Sequence, residues 1–178
     1  MKRDRLLVFV IVCAAMLCAL LSIEARADVF DVRLAKARVI VAECYPDSGF
    51  RPYIGHLLRA HERHAERMGA PGFAGAWYWS LVYGGANAKL KVGAVFPGNC
   101  AGPMDCKTRP RLLDPRENID HHTKEMALGW SKGYRGIGLA KYVMLPSAPR
   151  DWGSGQFAKA DAKHRAVIEA AYRDGRLR

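Results

Sequence analysis

The sequence predicts a mainly α-helical single domain, with strands a minority, behind a short apolar leader. Three observations predict it. Apolar residues recur at helical spacing in successive segments of the 178-residue chain, and Gly and Pro clusters separate those segments. Residues 28–178 suit one domain with a real core, and no internal repeat or low-complexity tract interrupts them.

The leader comes first. Lys2, Arg3 and Arg5 form a basic start, Leu6 to Leu21 is almost continuously apolar, and Ala25-Arg26-Ala27 is a small-residue exit before Asp28. That order is what a signal peptidase reads, so cleavage is expected after Ala27. The apolar run is shorter than the roughly 20 residues of a spanning helix, and Glu24 and Arg26 end it. The expected address is therefore secreted or periplasmic.

Six helical segments are expected downstream. Asp31 to Cys44 carries a broad apolar stripe of Val32, Leu34, Ala35, Val39, Ile40 and Ala42, stopped by Pro46 and the Asp-Ser-Gly run. A second helix runs from Pro52 to about Met68, with proline in its first turn and Gly69, Pro71 and Gly72 after it. Phe73 to Tyr83 is aromatic and apolar and is read as a buried helix rather than a strand. Gly84 to Pro110 is rich in Gly, Pro, Asn and Lys and is expected to be a long loop or short hairpin, a length usually reserved for function. Asp114 is a good N-cap, Pro115 suits the first helical position and Glu117 the capping-box position of a helix to about Trp130. Gly136 to Met144 is a short helix stopped by Pro146 and Pro149. A polar stretch around Asp151-Trp152-Gly153 then leads to a last helix over 159–172.

Charge and cysteine use narrow the partners. The whole chain is +11; four of its basic and two of its acidic residues lie in the leader, which leaves +9. A basic secreted protein is drawn to anionic polymers and to an anionic envelope surface. No nucleic-acid partner is expected, because the charge is spread along the chain and no RNP or zinc-finger pattern occurs. Cleavage reduces five cysteines to Cys44, Cys100 and Cys106. Cys100 and Cys106 are close and bracket a Gly-Pro turn, so they are the natural disulfide, with Cys44 to either of them the alternative. No Cys-x-x-Cys pair exists, which excludes a zinc ribbon.

Two segments carry candidate chemistry on their residues alone. Glu43-Cys44-Tyr45-Pro46-Asp47-Ser48 places two carboxylates at a helix C-terminus, where the helix dipole favours the protonated acid that cleavage of a glycosidic bond needs. Asn99-Cys100-Ala101-Gly102-Pro103-Met104-Asp105-Cys106 lets backbone approach a ligand closely, with Met104 as an adaptable apolar contact and Asp105 as a polar one.

With Asp114-Pro115, Asn118-Ile119 and Ala140-Lys141-Tyr142, these segments give an order of motifs that resembles the lytic transglycosylase family, of lysozyme-like fold. The resemblance spans about 40–145 and rests on four short segments: Asp47-Ser48-Gly49-Phe50-Arg51-Pro52, Gly102-Pro103-Met104-Asp105, Asp114-Pro115 with Asn118-Ile119, and Ala140-Lys141-Tyr142. It implies a lysozyme-like domain over 28–178 and cleavage of the bond between N-acetylmuramic acid and N-acetylglucosamine by one acid, with no metal or cofactor. It further implies that peptidoglycan glycan strands are the partner, that Glu43 or Asp47 is the acid, and that Ser48, Met104, Asp105 and Tyr142 bind substrate. Asp47 stands where the family has Glu, with Glu43 one turn upstream; Asp105 replaces a Gln and Val143 an Asn. Pro46 disfavours a helix reaching Asp47, which makes Glu43 the first choice and Asp47 the second. A rival alignment sets Trp79-Ser80 on the Glu-Ser pair and implies a binding relative without catalysis.

Aromatic residues and histidines form three further groups. Trp77, Trp79 and Tyr83 can stack on sugar faces, but at least two of the three are expected in the core. His61-Glu62-Arg63-His64 has the wrong spacing for His-Glu-x-x-His. Glu117, His121, His122 and Glu125 sit at helical spacings and are read as a polar helix face rather than a metal site.

Overall fold

The computed structural model describes residues 29–46, 51–89, 112, 114–144 and 154–177. The expected leader, 1–27, lies outside them. Contacts divide the chain into two units, Met1–Arg33 and Leu34–Arg178; the first helix begins in the first unit, and the packing described below is that of the second. It is mainly α-helical, and no strand occurs among the described residues. No described helix is long and apolar enough to cross a membrane.

Among the described residues six α-helices carry the fold: α1 (29–44), α2 (Ile54–Arg67), α3 (Trp77–Lys89), α4 (Pro115–Ser131), α5 (Gly136–Met144) and α6 (Ser154–Arg173). Short 3-10 turns, Arg51–Tyr53 and Pro71–Ala76, lead into α2 and α3. The buried face of α1 is Ala37, Ile40, Val41 and Cys44, spaced three, one and three residues apart as one helical stripe requires. Val32 is 43 % exposed and Ala42 also faces out, so the true stripe is narrower than the apolar content of α1 suggests.

Helix α2 packs on the Pro71–Ala76 turn and on α4; α4 packs on α5; and α3 packs on α5 and α6. Phe73 is fully buried at the first junction, with Ala65, Ala76, Met126, Ala127 and Leu139 in the same cluster. A second cluster of Val82, Tyr83, Ala140, Phe157 and Ala160 joins α3, α5 and α6. Polar ties sit at the edges. Asp120 accepts from His56 Nε2 at 3.0 Å and from Arg63 at 3.2 Å, linking α2 to α4. The Tyr78 hydroxyl donates to Asp161 Oδ1 at 2.5 Å, linking α3 to α6.

The α4 start matches its sequence signals. Asp114 Oδ1 accepts from the backbone N–H of Arg116 (2.8 Å) and Glu117 (3.1 Å), and Pro115 occupies the first turn, where no N–H is required. The side chain of Asn118 donates to the Leu112 carbonyl at 2.9 Å and fixes the approach to the helix.

Several boundaries differ from the sequence reading: α2 begins at Ile54, with Pro52 in the preceding 3-10 turn, and Phe73 lies in the 3-10 turn Pro71–Ala76, so that α3 starts at Trp77. Helix α3 continues through Gly84 and Gly85 to Lys89, where a loop was expected from Gly84 onward. Each interior glycine costs only about 1 kcal/mol relative to alanine, and the aromatic turns ahead of it are already anchored by Trp77, Leu81 and Val82 in the core. Helix α6 begins at Ser154, five residues before 159, so the polar stretch contributes its first turn. The rest of the expected loop, 90–110, lies outside the described residues.

Candidate functional site

The sequence-derived site residues fall into two groups. Glu43 and Tyr142 are described. Asp47, Ser48, Met104, Asp105, Cys100 and Cys106 lie outside the described residues, as does the expected disulfide. Cys44 is buried on the inner face of α1.

Glu43 stands on the exposed side of the last turn of α1, with its side chain 44 % exposed. Its Oε1 accepts from the Arg176 guanidinium. The C-terminal end of α6 builds this contact. Gly175 (φ 77°) closes the helix, and Arg176 N–H returns to the Ala171 carbonyl at 2.9 Å, directing the arginine across to α1. Arg176 also donates to Asp174 at 3.2 Å. Glu43 is therefore a partner in a surface ion pair. One of its oxygens is engaged by a cation while the side chain stays part-exposed.

Tyr142 lies on α5, half-buried, and its hydroxyl accepts from the Lys132 ammonium at 2.9 Å. Its ring rests on Gly129 of α4. A Cβ at that glycine would fall 2.5 Å from the Tyr142 ring and 3.0 Å from Leu139, so only glycine permits this approach of α4 and α5. Gly129→Ala should lower stability by about 1–3 kcal/mol, although alanine is the better helix former; overpacking outweighs propensity. A melting curve checks it, and an unchanged or higher Tm would mean that the ring moves aside freely. No described hydrogen bond, ion pair or ring contact joins Glu43 to Tyr142.

The α4–α5 turn gathers aromatic rings and cations around Tyr142. Gly133 (φ 90°) ends α4 in the left-handed conformation, and Tyr134 N–H returns to the Gly129 carbonyl at 3.1 Å. This places Tyr134, 42 % exposed, against Tyr142 with ring centres 4.8 Å apart and planes 27° from parallel. Arg135 lays its guanidinium 3.6 Å from the centre of the Trp130 ring, and its Nη1 donates to the Trp130 and Tyr134 carbonyls, both at 2.7 Å.

A further group is not visible as a cluster in the sequence. His61 of α2, Ser80 of α3 and His122 of α4 meet in the core, none more than 1 % exposed. The Ser80 hydroxyl lies 2.9 Å from His61 Nε2, 3.2 Å from His122 Nε2 and 3.0 Å from Met126 sulfur. The His61 ring faces Phe73 at 4.9 Å, and the His122 ring stacks on Tyr83 at 5.2 Å. Burial pushes the His61 pKa down to about 3, against a weak pull upward from the Phe73 backbone; His64 adds a further downward push. Burial, then the neighbouring His61 and His121, hold His122 well below its usual range. Both rings are neutral at physiological pH.

One proton arrangement fits these contacts. Ser80 donates to the Met126 sulfur, and His61 Nε2 and His122 Nε2 both donate to the Ser80 oxygen. His61 Nδ1 and His122 Nδ1 then both remain bare acceptors with no hydrogen-bond partner among the described residues. A serine between two imidazoles has the residue types of an activated nucleophile. Here no substrate can reach the hydroxyl, and the cluster serves as a polar tie between three helices.

His122 is thus not part of a polar helix face. Glu117 on the same helix is exposed, and no group of three or more His, Cys, Asp or Glu able to hold a metal occurs among the described residues. Trp77 (6 % exposed) and Tyr83 (fully buried) are core aromatics, and Trp79 is partly buried. The signal for the buried cluster is in the sequence, though faint. His61 follows Ile54, Leu57 and Leu58 on one stripe; His122 lies between Ile119 and Met126; Ser80 lies between Trp77 and Leu81. A polar residue at an apolar stripe position is a buried polar residue that needs partners.

Compared with protein-family models, curated proteins and solved structures, the chain matches none. Functional inference therefore rests on the residues themselves.

Proposed function

We propose that the protein is a secreted or periplasmic, peptidoglycan-directed enzyme of the lytic transglycosylase type. The observation that carries this reading is the order of four motif segments between about 40 and 145: Asp47-Ser48, Gly102-Pro103-Met104-Asp105, Asp114-Pro115 and Ala140-Lys141-Tyr142. The basic composition and the mainly helical architecture support it. In the proposed reaction one carboxylic acid protonates the glycosidic oxygen, and the C1–O bond of N-acetylmuramic acid breaks. The C6 hydroxyl of the same sugar closes onto C1 and returns its proton to the carboxylate. The engagement of Glu43 with Arg176 reverses the order of preference for the acid and favours Asp47.

The same ion pair also favours a second reading, a non-catalytic peptidoglycan-binding protein, because it gives one of the two candidate acids a partner at the surface. Digestion of purified sacculi with wild type, Glu43→Gln and Asp47→Asn separates the two. For the enzyme, wild type and Glu43→Gln release anhydro-muropeptides at similar rates, and Asp47→Asn loses on the order of a hundredfold or more. Sedimentation with sacculi without release by any of the three identifies the binding protein. Neither release nor sedimentation would remove both readings.

A further inference from the structure

We propose that the turn between α4 and α5 is a docking surface for an anionic amino-sugar strand, with Tyr134 as stacking platform and Lys132 and Arg135 as its charged rim. The inference deepens the peptidoglycan-directed reading and rests on it. Tyr142 is already implicated by the motif order. Tyr134, Lys132 and Arg135 belong to none of the motif segments and are assigned by geometry alone.

The surface is held ready before any ligand arrives. Tyr134 cannot sink into the core, because Gly133 and the hydrogen bond to the Gly129 carbonyl fix its backbone at the end of α4. One side of its ring is covered by Tyr142, which is itself set down on Gly129, and the side chain still leaves Tyr134 42 % exposed. An aromatic ring backed in this way loses little freedom when something stacks on it. A pyranose ring offers a flat C–H face of suitable size and polarity for such a stack.

The charges select among sugars. The Lys132 ammonium lies 5.2 Å from the centre of the Tyr142 ring and donates to its hydroxyl, at the edge of the stacked pair. Arg135 is pinned by Nη1 to two carbonyls and lies flat on Trp130, so its charge stays at the turn. Glu125 is the acidic group that acts on Lys132, and it is half-buried. Rings flanked by two fixed cations suit a polymer that alternates sugar faces with carboxylates, as a glycan strand bearing peptide stems does, better than a neutral glycan.

Two probes and two variants of the full mature chain test the assignment: purified sacculi, chitohexaose as a neutral amino-sugar strand, Tyr134→Ala and Lys132→Gln. Both substitutions are on the surface and should leave Tm near wild type. Tyr134→Ala should weaken binding to both probes on the order of tenfold, as loss of an aromatic anchor does. Lys132→Gln should weaken binding to sacculi several-fold and leave chitohexaose unchanged. If wild type binds sacculi and Tyr134→Ala binds equally well, the platform is overturned while the peptidoglycan-directed reading stands. If wild type binds neither probe, both fall together. Tyr134-dependent binding to phosphatidylglycerol vesicles without binding to sacculi would overturn the glycan assignment in favour of a lipid surface.

Discussion

Lowering the pH from 7 to 4.5 should destabilise the folded protein by about 2–3 kcal/mol through His61 alone, with His122 adding to the loss. The sign follows from the two states. Unfolded, a histidine takes up a proton near pH 6.5; folded, His61 resists protonation until about pH 3. Between those values the unfolded chain binds more protons, so stability falls as the pH falls, by about 1.4 kcal/mol per pH unit for each fully titrating group. His122 acts in the same direction, since burial lowers its pKa as well. The physical cause is that a charged imidazole would face Phe73 on α3's approach, Tyr83 on α3 and a serine hydroxyl, with no carboxylate among its described contacts to balance it. Urea titrations at pH 7 and 4.5 measure the effect, with His61→Gln beside wild type. Gln can still bond Ser80 but does not titrate, so its pH slope should be visibly shallower. Equal slopes would show that the core imidazoles do not control acid stability.

Phe73→Ala should cost about 3–5 kcal/mol, the range for deleting a fully buried aromatic ring, and this is a large fraction of the stability of a domain of this size. Phe73 is at 0 % exposure. It meets His61 at 4.9 Å, Trp130 edge-on at 5.6 Å and His64 at 6.4 Å between ring centres. Its removal leaves a cavity where the Pro71–Ala76 turn, α2 and α4 meet, and uncovers one side of the His61–Ser80–His122 tie. A thermal or urea melt reads the loss. Phe73→Leu, which keeps most of the apolar volume, should recover a good part of it. A loss below about 1 kcal/mol would mean that the junction collapses to fill the space.

These two effects mark where the sequence is readable and where it is not. The helices are legible from spacing and punctuation. Asp114-Pro115 announces α4, and the structure shows both backbone N–H groups bonded to the Asp114 carboxylate. Gly136 to Met144 is helical over the span its apolar pattern indicates. The errors arise where a local cost is outweighed by burial. Gly84-Gly85 looks like a break, yet α3 runs through it because the turns before it are already locked in the core. The broad stripe of α1 over-assigns Val32 and Ala42, because spacing alone does not say which edge of a wide apolar face meets the neighbouring helices.

The candidate sites divide along the same line. Glu43 stands at the end of α1, where spacing puts it, but no local pattern reveals that a residue 133 positions away pairs with it. Tyr142 is legible as a motif residue. Its environment depends on Gly129 and Gly133, whose roles emerge only once α4 and α5 are side by side.

The sequence by itself determined the mainly helical class, the order of the helices, the Asp114 cap of α4, the basic charge and the motif order behind the functional proposal. These depend on neighbours within a few turns of chain, where spacing, capping and composition act. Only the tertiary structure decided that His61, Ser80 and His122 share one buried cluster, that Arg176 pairs with Glu43, and that Tyr134 backs onto Tyr142. Those contacts join residues far apart in the chain, and their chemistry is set by burial: the same histidine is a surface base in water and a neutral hydrogen-bonding ring in the core.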